Sequence, residues 1–177
     1  MKRKVGIGYD VHKLEGRRKF MLGGIEIKSS PIGAVGHSDA DCLIHAVIDA
    51  MLGAANLRDI GFQYPDTSKE FKDIDSKELL KDAYKKVCAK GYKIENIDSI
   101  ICLQTPKLKD FIPQMQQCLA QILHINTEDI TVKATTTEHL GFTGRSEGIA
   151  AYSVCLLKKK LNICNLLSRF WYNCKAL

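Results

Sequence analysis

The sequence predicts an α+β fold, a mixed β-sheet with helices packed on one face. Two observations carry this. β-rich runs alternate with stretches whose apolar residues recur at helical spacing, and the alternation lacks the strict repeat of a parallel βαβ array. The chain has 177 residues, 45% hydrophobic and 26% charged, which suffices for one domain whose core needs no cross-links. Residues 1–160 are read as that single domain and 161–177 as a C-terminal extension.

Residues 4–9 read as a first strand in which Gly6 and Gly8 alternate with Val5 and Ile7, leaving one face bare for close approach of a backbone or a ligand. Residues 17–27 suggest a short hairpin around Gly23-Gly24, and 29–36, rich in Ser, Pro and Gly, a loop. The first helix is expected to start at Ser38, with Asp41 completing a capping-box-like pair. Leu43, Ile44, Val47, Ile48, Met51 and Leu52 then face the core, while Asp41, His45 and Asp49 stack along one edge. Residues 59–67 read as a loop too long for a minimal connection. Ser76 is expected to cap a second helix, with Leu79, Leu80, Ala83, Val87 and Cys88 as its apolar stripe and Gly91 as its stop. Residues 97–103 read as a strand closed by 104–107. Residues 110–123 form a third helix with Pro113 in its first turn. A strand over 130–137, a glycine-rich bend over 141–148 and a last strand over 149–157 complete the domain.

Composition narrows the function. The net charge of +6 is modest and its bases are scattered, with none of the aromatic interleaving of a nucleic-acid surface, so no nucleic-acid partner is expected. The seven cysteines are odd in number and never form C-x-x-C, which reads as a reducing, cytoplasmic setting. No apolar run is long enough to span a membrane, so no membrane partner is expected. The extension mixes Leu, Phe170, Trp171 and Tyr172 with Asn and Cys, a pattern compatible with disorder or with a packed extra turn.

The chemistry is centred on Asp10-Val11-His12. In a strand Asp10 and His12 share a face. A third ligand could come from His45 on the first helix. Two imidazole nitrogens and one carboxylate, with a fourth position open, are the donor set of a catalytic zinc site. A bare D-x-H is also common as a solvated pair, as is a polar helix edge. His124 and His139 read as cap or surface residues.

Five segments in order carry a resemblance: Gly8-Tyr9-Asp10-Val11-His12; Gly36-His37-Ser38-Asp39-Ala40-Asp41 with His45; Asp59-Ile60-Gly61 with Pro65-Asp66-Thr67; Lys133-Ala134-Thr135-Thr136-Thr137-Glu138; and Gly141-Phe142-Thr143-Gly144-Arg145. From about residue 5 to 160 the chain resembles the 2-C-methyl-D-erythritol 2,4-cyclodiphosphate synthases of the non-mevalonate isoprenoid pathway. The resemblance implies conversion of 4-diphosphocytidyl-2-C-methyl-D-erythritol 2-phosphate to the cyclic diphosphate with release of CMP, a metal-dependent phosphorus–oxygen lyase reaction. The substrate's own 2-phosphate attacks the β-phosphorus, so the protein's task is positioning and charge neutralisation.

The same resemblance implies roles for individual residues. Asp10, His12 and His45 look like zinc ligands, and Glu138 like a holder of a second ion, magnesium or manganese. His37 and Ser38 match the phosphate side, and Ser38 as an N-cap suits an anion. Asp59, Ile60 and Gly61, with Tyr64 and Asp66, match the segment that holds the methylerythritol hydroxyls. Leu103, Gln104, Thr105, Pro106 and Lys107, with Thr135, Thr136 and Thr137, resemble the cytidine side, and His37 and Thr136 the catalytic positions. Tyr64 stands where such proteins often have Phe, Ser68 where Asp is common, and Thr105 where Ala is common. The resemblance further implies a homotrimer assembled around the sheets, with sites between subunits and a central channel that takes isoprenoid diphosphates near Phe142 and Arg145. A zinc phosphohydrolase and a non-enzymatic isoprenoid-diphosphate sensor are the alternatives. The Thr135–Glu138 and Asp59–Gly61 sets disfavour the first, and an intact Asp10, His12 and His45 the second.

Overall fold

The computed structural model describes residues 2–16, 18–28, 30–71 and 73–160, and the extension over 161–177 lies outside the described residues. Five strands form one mixed sheet in the order β4-β1-β7-β5-β6. They are β1 (Arg3–Gly16), β4 (Ile32–Val35), β5 (Tyr92–Cys102), β6 (Ile130–Thr135) and β7 (Gly148–Lys159). β1 and β5 both run antiparallel to β7, and β6 runs parallel to β5. The C-terminal ends of β1, β5 and β6 therefore meet at one edge of the sheet, where the predicted site segments emerge.

Side-chain alternation sorts β1 cleanly. Gly6, Gly8, Asp10, His12 and Leu14 face the helix α1 (Cys42–Ala55), while Val5, Ile7, Tyr9 and Val11 face away from it. The two glycines are required for the fit. A Cβ at Gly6 would run into the Ala50 carbonyl oxygen, and one at Gly8 into that of Ala46. α1 is apolar almost all round and lies buried over β1 and β7, beside α3 (Ser76–Ala89). α4 (Ile112–Leu123) covers the β6 side, with Pro113 in its first turn. Helices thus occupy one face, as the sequence predicts.

Several boundaries differ from the sequence reading. β1 is 14 residues long, because pairing with β7 continues from Arg3 to Lys13 and carries Asp10 and His12 inside the ladder. The stretch read as a loop over 29–36 contains β4, which pairs with β1 despite Gly33 and Pro31. Residues 59–67 begin with a one-turn helix, α2 (Ile60–Gln63), and the 141–148 bend with another, α5 (Gly141–Gly144). β6 stops at Thr135, so Thr136 and Thr137 lie beyond the strand.

The helix caps also shift. Ser38 is not the N-cap of α1. Asp41 is, accepting the Ile44 amide at 3.0 Å, and its buried carboxylate also takes the amides of Gly23 (2.8 Å) and Gly24 (2.6 Å). Those glycines have φ of 62° and 78° and turn the hairpin of β2 (Met21–Leu22) and β3 (Ile25–Glu26). Asp41 therefore ties that hairpin to α1 instead of lining a solvated edge. Likewise Asp75, not Ser76, caps α3, which frees the Ser76 hydroxyl for another partner.

Candidate metal centre and substrate cavities

Because Gly6 and Gly8 let α1 lie against β1, His45 reaches the side chains that the strand presents. The His12 Nε2 lies 2.9 Å from Asp10 Oδ2, the His45 Nδ1 3.1 Å from the same oxygen, and the two nitrogens are 3.1 Å apart. Among the described residues this is the cluster of three side chains able to hold a metal ion. A tetrahedral zinc with bonds of about 2.0–2.1 Å would set its ligand atoms about 3.3 Å apart, so the triangle is close to the right size.

The outer nitrogen of each ring is engaged. His12 Nδ1 donates to the Val35 carbonyl at 3.1 Å. His45 Nε2 lies 2.9 Å from Ser76 Oγ and 3.1 Å from Ser38 Oγ. The Ser76 hydroxyl is spent on Asp39, so it accepts from His45. These bonds fix both neutral tautomers with a bare inner nitrogen, and two lone pairs then converge on a carboxylate oxygen. Such a set is repulsive unless a cation stands among its members. A proton on either ring can substitute in part. Burial would push the Asp10 carboxyl up, but hydrogen bonds from His12 and His45, once these rings are protonated, hold it well below the usual carboxylate range. Burial would pull the His12 imidazole down, yet its hydrogen bond and attraction to Asp10 hold it above its ordinary value. The residues present fit zinc.

The triad opens into a cavity of about 400 Å³ that is also lined by His37, Ser38, Ile60, Gly61, Tyr64 and Asp66. The structure thus brings together the three predicted zinc ligands and nearly the whole predicted hydroxyl side. Asp59 is the exception. Its carboxylate caps α2 by accepting the Phe62 amide at 2.9 Å, and it does not line the cavity.

A second cavity of about 420 Å³ lies beside β5 and β6, lined by Leu103, Pro106, Lys107, Ala134, Thr135 and Thr136, with Leu108, Lys109 and Ile112. Thr105 and Gln104 fall outside its lining, and Gln104 accepts the His139 amide at 3.4 Å. Thr136 donates to Glu138 at 2.8 Å, and Thr137 turns inward to Leu140 and Thr143. Glu138 is not part of the Asp10 cluster. Phe142 and Arg145 line neither cavity, and Arg145 pairs with Glu147 at 2.9 Å. The two cavities share no residue. β7 separates β1 from β5, and strands about 4.8 Å apart place the end of β6 roughly 14 Å from that of β1.

Sequence reasoning missed Asp39, Ser76 and the Val35 carbonyl as supports of the histidines, and Lys109 and Ile112 as cavity lining. Ser76 and Val35 lie far from the motif they serve, so no local spacing marks them.

Fold and site together define an α+β domain that carries a three-ligand candidate metal centre beside a cavity of substrate size. The chain belongs to the YgbB family, whose model matches residues 3–158. The 2-C-methyl-D-erythritol 2,4-cyclodiphosphate synthase of Phocaeicola vulgatus is 56% identical over 159 residues, 90% of this chain and 99% of that protein. The corresponding protein of Finegoldia magna is 55% identical over 89% of this chain and 98% of its own. Among solved structures, the bifunctional IspDF of Campylobacter jejuni superposes with a TM-score of 0.86 at 47% identity over 89% of this chain, which spans 42% of that longer one. IspF of Plasmodium falciparum, solved as a CDP complex, superposes at 0.79 with 30% identity over 90% of this chain and 97% of its own.

Proposed function

We propose that this chain cyclises 4-diphosphocytidyl-2-C-methyl-D-erythritol 2-phosphate to 2-C-methyl-D-erythritol 2,4-cyclodiphosphate and CMP. The reading rests on one observation above the others: the bare nitrogens of His12 and His45 converge with Asp10 at the floor of a cavity whose wall matches the family's substrate segment. An oxygen of the substrate's 2-phosphate bonds to the β-phosphorus, and the bond from that phosphorus to the bridging oxygen breaks, leaving on CMP. A phosphate anion needs no protein base, so the Ser38 and Ser76 hydroxyls beside His45 have no nucleophilic part in this reaction.

Asp10, His12 and His45 would hold zinc, which when bound would supply Lewis acidity toward the diphosphate. His37 and Ser38, which line the same cavity as the triad, hold phosphate oxygens. Ile60, Gly61 and Asp66 orient the methylerythritol hydroxyls, with the Tyr64 ring packed beside them and Asp59 fixing α2. Leu103, Pro106 and Lys107 receive the cytidine end, and Thr136 and Glu138 stand on the side where charge builds up on the leaving phosphate. Glu138 is the residue suited to a magnesium or manganese ion there.

Two features support a homotrimer. The hydroxyl side and the cytidine side lie in separate cavities of one chain, as expected where a neighbouring copy completes the site. The sheet face turned away from the helices leaves Val5 67% and Ile7 71% exposed, with Tyr9, Val11, Tyr152 and Val154 beside them. Phe142 and Arg145 are the residues to which an isoprenoid diphosphate in a central channel is assigned. The free thiols of Cys42, Cys88, Cys102, Cys118 and Cys155 suit a cytoplasmic setting.

Phosphorus NMR of the protein with the diphosphocytidyl substrate, zinc and magnesium tests the reaction. A cyclic diphosphate and CMP, both lost with chelator, are expected. Open-chain phosphates with CMP would replace this reading by hydrolysis.

A further inference from the structure

The cavity wall opposite the triad has no core of its own. α2 is four residues long and none of them is buried, yet Ile60 and Gly61 within it and Tyr64 and Asp66 after it line the cavity. A single turn cannot hold its own conformation in water. Its position is imposed from outside. At its start, Asp49 of α1 accepts the Ile60 amide at 2.8 Å. At its end, Tyr64 is only 8% exposed, with its ring edge-on to Phe71 at 5.5 Å between centroids.

The Tyr64 hydroxyl leaves the cavity and donates to Asp82 Oδ2 on α3 at 2.8 Å. Asp82 pairs with Lys86 at 2.9 Å, and the Lys86 ammonium stands 4.4 Å over the Tyr64 ring. The three side chains close a triangle of hydroxyl to carboxylate, carboxylate to ammonium and ammonium to ring face. Neither Asp82 nor Lys86 lines the cavity. The same helix holds His45 through Ser76 at its first residue. α3 therefore spaces the metal ligand and the substrate wall against each other.

We propose that Asp82 is a positioning residue for substrate binding, holding the 60–66 wall through the Tyr64 hydroxyl with Lys86 closing the clamp. This rests on the function proposed above for the substrate, but the clamp itself can be read without turnover. A hydroxyl bonded to a carboxylate orients the ring that follows α2, and the ring orients the backbone of Asp66. Loss of the clamp weakens the ground state and the transition state alike, which appears in KM and leaves kcat in place.

The test compares the zinc-loaded full-length protein with Tyr64→Phe, Asp82→Leu and the double variant. Hydrogen exchange over residues 59–66 is measured with zinc content and steady-state kinetics. Each single variant is expected to speed exchange in that segment and to raise KM, both about tenfold, with kcat within about twofold and zinc content unchanged. The double variant is expected to be no worse than the larger single effect, because both remove one clamp. Asp82→Glu should restore part of the loss. A fall in melting temperature with exchange in 59–66 and KM both unchanged would overturn the proposal, as would additive single effects. If the wild type fails to cyclise its substrate, the functional reading falls, and the exchange data alone still decide the clamp.

Discussion

His12 and His45 approach each other nitrogen to nitrogen at 3.1 Å, and the far side of each ring is tied to a different part of the chain, His12 to Val35 on β4 and His45 to Ser76 on α3. Removing a ligand and removing its support should therefore differ in degree. His45→Ala is expected to lose bound zinc and to lower turnover by about 10²–10³-fold or more. Ser76→Ala should keep the ligand but weaken zinc affinity about 10–100-fold. Competition with a chromophoric chelator measures both, and equal affinities in wild type and Ser76→Ala would refute the supporting role.

Gly8 links the fold to the site. Its Cβ would collide with the Ala46 carbonyl, so Gly8→Ala must push α1 outward and carry His45 away from Asp10. A stability loss of about 1–3 kcal/mol is expected, together with weaker zinc binding. Urea unfolding and zinc titration on the same preparation check whether the two losses go together.

At the other end of β1, Glu95 sits at the irregularity between Ile94 and Asn96 in β5, and there it accepts Arg3 at 2.5 Å and Lys158 at 3.0 Å. Those partners hold its carboxyl at about 2, below its usual 4.5. A lowered folded-state value means the contribution is complete above the unfolded-state value and disappears as pH falls from about 4.5 toward 2. Glu95→Gln should therefore be less stable than wild type at pH 7, and the two should converge near pH 2. High salt should narrow the gap at pH 7, more through the exposed Arg3 than through the part-buried Lys158. Urea midpoints across that range report it.

The exposed apolar face predicts assembly. Light scattering of the wild type at micromolar concentration should give the mass of three chains. Ile7→Asp, which places a charge where Ile7 is 71% exposed on that face, should give one chain and little turnover. A monomeric, fully active wild type would sink the shared-site model.

Local spacing made much of the site legible. Asp10 and His12 lie two apart in a strand and so must share a face, and His45 falls on a helix whose apolar period is plain. Gly6 and Gly8 could be read as a bare face because a strand alternates. The caps were misplaced at Ser38 and Ser76. In each case a neighbouring aspartate competes for the same role, and the sequence does not say which oxygen the helix amides will take.

The sequence by itself determined the long helices and strands, the one-sided packing of helices on the sheet and the identity of the three metal-type ligands, because each depends on contacts a few residues apart or on periodicity, whereas β4, α2 and α5 escaped it. Tertiary structure alone decided the rest. The histidine tautomers depend on Val35 and Ser76, each more than 20 residues from its ring. The burial of Asp41 depends on a hairpin 17 residues upstream. The splitting of the substrate segments into two cavities depends on β7 entering the sheet between β1 and β5. Each of these follows from which distant strand or helix packs beside a residue, and that choice is made by the free energy of the whole core.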